Sequence, residues 1–170
     1  LLANTTGINN VAIGYQALTN NTTASNNIAI GVTALAYNTV GINNVAVGPQ
    51  ALINNISGNY NIAIGRDAMY TNTSGGNTVA IGVASLYTAE ATTYNVAVGA
   101  YTMRSTTTGD YNTAVGYQTL YYNTTGIRNV GLGYQTLFNN SYGRYNTALG
   151  WAAVYANTTG EHNVGVGHQA

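Results

Sequence analysis

Asp67, Glu90, Asp110 and Glu161 are the only carboxylates in the 170-residue chain, and His162 and His168 its only imidazoles. Catalysis by acid–base or nucleophilic routes needs such groups clustered within hydrogen-bond reach of one another. Here they are scattered. Asp110 and Glu161 share a phase of the repeat described below but lie three units apart, roughly 14 Å at the spacing of stacked strands, too far for a working carboxylate pair. Two histidines with no cysteine anywhere make a poor ligand set for a metal, and both fit solvated turns better. Gly131-Leu132-Gly133 and Gly165-Val166-Gly167 imitate part of a nucleotide-binding loop, but no helical pattern follows either of them. The Gly- and Asp-rich nonapeptide of calcium-binding β-rolls is not matched. The sequence therefore predicts no enzyme, no metal and no cofactor.

Charge excludes further classes. Four Arg balance four acidic residues, against roughly a quarter charged residues in an average domain, and there is no basic stripe. Neither nucleic acid nor an anionic membrane surface is an expected partner. No apolar run approaches the roughly 20 residues needed to span a bilayer. The surface must be built from Asn, Thr, Ser, Gln and Tyr.

What remains is a repeat. Asn10-Val11-Ala12-Ile13-Gly14 returns in near-copy every 17 residues, ten times, with no insertion or deletion. A fixed period of this kind marks a stacked array. With Gly7 as position 1, units begin at 7, 24, 41, 58, 75, 92, 109, 126, 143 and 160, and residues 1–170 form one array. Position 8 is always Gly. Positions 5 and 7 are Val, Ile or Leu except Thr113 and Thr147, and the β-branched excess favours a strand closed by a glycine turn. Position 12 is Leu, Met or Val, and position 11 is Ala, Ser or Thr. Asn-Thr-Thr-Gly, or a relative of it, closes the unit as a turn. The fold class expected is all-β, a parallel β-solenoid of ten coils. Asn at positions 4 and 15 should stack as amide ladders along it, although Asn also suits turns on its own account. The least regular part is residues 87–95, where a bend or local specialisation is expected.

Side chains alternate across a strand, so positions 5 and 7 share one face and position 6 takes the other. We read the large pair as facing the coil's own core together with position 12: Val11, Ile13, Leu18, Ile28, Ile30, Leu35, Val45, Val47, Leu52, Ile62, Ile64 and Met69. The small column, Ala12, Ala29, Ala46, Ala63, Ala80, Ala97, Ala114, Gly131, Ala148 and Gly165, then points outward as an inter-chain stripe along which rods approach closely. A single thin stack buries little per coil, so association is expected, most simply three rods about one axis. The competing arrangement puts position 6 in a cramped interior and turns positions 5 and 7 outward.

Aromatic residues gather at positions 3, 9, 13 and 14. Those at position 9, Tyr15, Tyr117, Tyr134 and Trp151, are candidates for stacking on a glycan or a cell-surface receptor, and equally for lining clefts between chains. The sequons at Asn4, Asn21, Asn55, Asn72, Asn123 and Asn157 follow from turn chemistry and say little about glycosylation. An ice-binding solenoid is an alternative function, since regular Thr rows are its usual device. Adjacent pairs such as Thr22-Thr23 cannot both face one plane, and Val40, Ile56 and Glu90 interrupt the rows.

Asn-Val-Ala-Ile-Gly, with Ala-Leu a few residues on and Asn-Thr-Thr-Gly closing the unit, resembles the head repeats of trimeric autotransporter adhesins. It is still more similar to the 17-residue Asn-Thr-Thr-Gly repeats of phage tail-fibre-like and related bacterial surface proteins. The resemblance covers the whole chain. It implies a left-handed β-roll, a homotrimer, and an extracellular role in attachment on a bacterial cell surface or a virion fibre. The adhesin head repeat is typically shorter, and no stalk heptads, neck, membrane anchor or tail-fibre chaperone domain is present. A purely architectural filament without a receptor is the further alternative. Leu1 falls at position 12 and Ala170 at position 11, so the ends are in phase, and a longer fibre or end-to-end assembly is expected.

Overall fold

The computed structural model describes residues 1–170. Ten three-residue strands occur at the 17-residue interval: β1 (Val11–Ile13), β2 (Ile28–Ile30), β3 (Val45–Val47), β4 (Ile62–Ile64), β5 (Val79–Ile81), β6 (Val96–Val98), β7 (Thr113–Val115), β8 (Val130–Leu132), β9 (Thr147–Leu149) and β10 (Val164–Val166). They form one parallel sheet in sequence order, each residue paired with its equivalent 17 positions on. The chain is a β-solenoid without helices. Only 18 of its 104 backbone hydrogen bonds lie within the strands, and most of the rest also join one coil to the next, such as Leu18 N–H to Ala34 O and Asn20 N–H to Ala36 O. The wall opposite the sheet is thus laddered as well.

Four positive-φ positions shape each coil. Position 8 glycine sits at φ between 126° and 137°, a region closed to side chains, and a Cβ on Gly82 would lie 2.4 Å from the Gly99 carbonyl oxygen. Positions 3 and 10 are left-handed with ordinary residues, Asn9 at 58° and Gln16 at 55° among them. Position 12 is left-handed too, with φ of 49° to 53° from Leu18 to Val154. A left-handed leucine costs about 1–2 kcal/mol, but it breaks the alternation of a strand. Consecutive residues 11 and 12 then both point inward: Ala34 and Leu35, Ala51 and Leu52, and Ala68 and Met69 are all 0% exposed.

The expected polarity of the sheet is overturned. Position 6 faces the interior: Ala29, Ala46, Ala63, Ala80, Ala97, Ala114 and Ala148 are fully buried, Gly131 and Gly165 are buried, and Ala12 is half-buried in the first coil. These residues belong to the core, so they cannot be an inter-chain stripe. Conversely Val11, Ile13, Ile28, Ile30, Ile62 and Ile64 are exposed, and Val45 and Val47 half-exposed. Of the expected core, Leu18, Leu35, Leu52 and Met69 hold their place inside. The reason is width. A 17-residue coil has room for one large column between its walls, and the leucines fill it from the far wall. The facing column must then be small, the usual alternation of large and small across a packed layer.

Gly131 lies against two position 11 threonines: an added Cβ would meet the Thr119 methyl at 2.6 Å and Thr136 Oγ1 at 3.0 Å. The equivalent Thr102 is accommodated with Ala97 and Ala114 kept at position 6.

Candidate functional site

Two asparagine columns complete the interior. At position 15 the amides form the expected ladder: Asn21 Nδ2 donates to Asn4 Oδ1 (2.9 Å), Asn38 to Asn21 (3.2 Å), Asn55 to Asn38 (2.8 Å) and Asn72 to Asn55 (2.9 Å). Position 4 forms amide-to-amide bonds only in the last coils, from Asn129 Nδ2 to Asn112 Oδ1 (3.1 Å), Asn146 to Asn129 (3.2 Å) and Asn163 to Asn146 (3.0 Å), and bonds mainly to backbone. Its Oδ1 accepts the backbone N–H of the next coil, as Asn27 does from Asn44 (2.9 Å), and its Nδ2 donates to the next coil's position 1 carbonyl, as Asn27 does to Gly41 (2.9 Å). Asn38 Nδ2 reaches the same Gly41 oxygen at 2.9 Å, so the position 1 carbonyl takes two amides wherever both columns hold Asn. Both columns are 0% exposed through the middle of the rod. Asn21, Asn55, Asn72 and Asn123 are therefore closed to glycosylation in the folded chain, their amide nitrogens spent inside.

The ladder changes between residues 78 and 106, in the neighbourhood where the sequence is least regular, while strand register runs through unbroken. Ala89 removes the position 15 amide and Thr92 replaces the adjoining position 1 glycine. Asn72 Oδ1, Thr92 Oγ1 and Thr106 Oγ1 are consequently buried without a partner. The irregularity is a rewiring of interior hydrogen bonds.

On the outside lie the titratable groups, none of them gathered. Asp67 pairs with adjacent Arg66 (3.3 Å) and Glu161 with Arg144 (3.9 Å), while Asp110 Oδ1 accepts the Thr93 N–H (2.7 Å). His162 stacks on Tyr145 and His168 on Trp151, with ring centroids 4.9 and 4.6 Å apart. The histidines thus continue aromatic columns.

Two external features are large enough to carry function. The first is the outward sheet face, with positions 5 and 7 of ten strands in two parallel ranks. Its exposed members run from Val11 and Ile13, at 44% and 58%, to Val164 and Val166, at 76% and 64%. Ten strands at about 4.8 Å make this face roughly 45 Å long. Only Thr113 and Thr147 interrupt its aliphatic character.

The second is a set of aromatic ladders that run from Tyr70 to the last coil. At position 9, Tyr117, Tyr134, Trp151 and His168 stack in sequence at 5.6, 5.8 and 4.6 Å. At position 13, Tyr70 and Tyr87 stack at 5.0 Å, the Arg104 guanidinium lies 5.1 Å from the Tyr87 ring and 5.9 Å from that of Tyr121, and Tyr121, Phe138 and Tyr155 continue the column. At position 3, Tyr94 and Tyr111 stack at 5.0 Å, and Arg128 sits between Tyr111 and Tyr145, donating from Nη1 to Tyr145 Oη (2.8 Å).

Within the column Tyr134 and Trp151 are each covered by rings on both faces and offer edges, whereas Tyr117 is stacked on one face only. Tyr15 shares the column but stands apart beside Val32, 70% exposed. The arginine rungs were missed by sequence reading, although Arg104 and Arg128 at positions otherwise rich in Tyr were the available signal. Comparison with family models, characterised proteins and solved structures finds no match.

Proposed function

We propose that this chain is a rigid rod segment of an extracellular fibre, serving as filament shaft or attachment element, in which copies associate through the outward aliphatic face. The observation that carries the reading is that face: two ranks of Val, Ile and Leu along ten strands, interrupted only by Thr113 and Thr147. An aliphatic surface of this extent exceeds the few hundred Å² that soluble monomers expose without a partner. It also approaches the roughly 800 Å² per partner of a standard stable interface. Three rods about one axis, with the left-handed coiling that the resemblance implies, would bury all three faces together. A bacterial surface or virion fibre is the setting that the same resemblance supports. If the fibre is adhesive, its glycan or protein receptor meets ring edges and polar corners.

Sedimentation velocity of the purified chain beside its Ile62→Asp variant tests the association. A trimer or another closed oligomer is expected for the parent and a smaller species for the variant; a stably folded monomer of the parent at micromolar concentration would refute it. Imaging of the native fibre distinguishes shaft from tip. Ice binding has weaker support, because the hydroxyls of Thr5, Thr22, Thr39, Thr73, Thr107 and Thr124 donate to carbonyls of the next coil. A thermal-hysteresis assay checks that alternative.

A further inference from the structure

We propose that Tyr94 and Tyr111 form an oxidative cross-linking site, at which a one-electron oxidant joins consecutive coils through a dityrosine bond. The two rings are stacked with centroids 5.0 Å apart and planes 11° from parallel, and they are 52% and 49% exposed. The stack holds two rings and no more. Asn77 occupies the same position one coil before, and Arg128 lies over the far face of Tyr111 at 5.3 Å. A radical on either ring therefore has one phenol partner within the column.

Competing sites of oxidation are few. The chain has no cysteine, and Met69 and Met103 are 0% exposed. The oxidant consequently draws its electrons from surface phenols and Trp151. Holding two phenols in contact replaces a bimolecular encounter with an intramolecular one. Exposed side chains reorient within nanoseconds, so the rings can turn from face to edge within the lifetime of the stack.

The step balances with hydrogen peroxide as the oxidant, acting through a haem peroxidase. Each phenol loses one electron and its hydroxyl proton to become a phenoxyl radical, and peroxide takes up both electrons and both protons to give two waters. The radicals join through the ring carbons ortho to oxygen, forming one C–C bond. The hydrogen on each of those carbons leaves as a proton and returns to the phenoxyl oxygen, restoring two phenols. The product is a covalent staple across one 17-residue coil.

The arginines make the test direct. Trypsin cuts after Arg66, Arg104 and Arg128, placing Tyr94 in peptide 67–104 and Tyr111 in peptide 105–128. The native protein treated with peroxidase and hydrogen peroxide should give dityrosine fluorescence and a 67–104/105–128 peptide pair, lighter by two hydrogens, with fragmentation placing the bond at Tyr94 and Tyr111. Its yield should fall about tenfold when the chain is oxidised in urea, and it should vanish in Tyr94→Phe, which keeps the ring stack but cannot form the second radical. Equal yield in urea, a bond at Tyr101 and Tyr117 instead, or linkage found only in covalent dimers on a denaturing gel would each overturn the proposal.

Discussion

Restoring the broken amide ladder should stabilise the rod, but only if two residues change together. Every other full rung has Asn at position 15 with a small residue at position 1, and a Cβ built on Gly58 or Gly75 would stand 2.4 or 2.5 Å from the adjoining Asn Oδ1. Ala89→Asn alone therefore drives an amide into the Thr92 side chain, an overpacking cost of about 1–3 kcal/mol. Thr92→Gly alone leaves a void and a more flexible unfolded chain, about 1 kcal/mol unfavourable. In the double variant the new Nδ2 donates to Asn72 Oδ1 and to the carbonyl of residue 92, and the new Oδ1 accepts the Thr106 hydroxyl. Three partnerless buried atoms disappear: two become bonded, and the third leaves with the Thr92 side chain. Satisfying a buried orphan is worth about 1–3 kcal/mol and an ordinary hydrogen bond about 1. Against the glycine cost, the double variant should gain about 1–3 kcal/mol over the parent, with a coupling energy of at least about 2 kcal/mol. Urea unfolding of the four proteins measures the cycle. Additive effects, or an Ala89→Asn single variant as stable as the double, would refute the reading of Ala89 and Thr92 as a compensated exchange.

Other outcomes follow from the same packing. Gly131→Ala should cost about 1–3 kcal/mol by pressing on the Thr119 methyl, and Thr119→Ser in the same chain should recover most of it, read by thermal unfolding. Gly82→Ala should cost more than about 3 kcal/mol, because it combines φ of 134° with a backbone clash against the next coil, and hydrogen exchange should show the loss centred on β5 and β6. Val96→Asp should keep the circular dichroism of the parent while weakening self-association, whereas Ala97→Asp, one residue along, should unfold the local coils by burying a charge. The reverse pattern would return position 6 to the surface.

The period, the strands and their register were all legible, because a three-residue apolar run followed by Gly, ten times at a fixed interval, leaves few other solutions. The amide ladder at position 15 was legible for the same reason. Which face of the strand is inside was not. A pattern of large, small, large fixes that Val11 and Ile13 lie opposite Ala12, but the pattern is symmetric with respect to the choice of face. The choice was made by Leu18, and its inward direction depends on a left-handed backbone that leucine seldom adopts. An aliphatic column is hard to place when the conformation that aims it runs against its residue type. The ring stacks were half legible: positions 9 and 13 were marked as aromatic, yet only the coil spacing shows that equivalent rings must cover one another's faces.

That inversion of faces also explains where this chain is free to vary. Positions 4, 6, 11, 12 and 15 share one narrow interior, so a change there presses on its neighbours, as Gly131 makes room for Thr119 and Thr136 and as Thr92 stands where Ala89 has removed an amide. The side chains at positions 3 and 9 project outward and those at position 13 lie at the rim of the coil, so a substitution in one coil is felt mainly by the same column above and below and by adjoining rings such as Tyr122 beside Tyr121 and Phe138. Such a column can pass from asparagine to tyrosine to arginine without disturbing the fold. The aromatic ladders show the result: position 3 passes through Asn9, Asn26, Asn43, Tyr60, Asn77, Tyr94, Tyr111, Arg128, Tyr145 and His162 along the rod. The interior columns keep one residue type through most coils, whereas the exterior columns change residue type while the strand register holds.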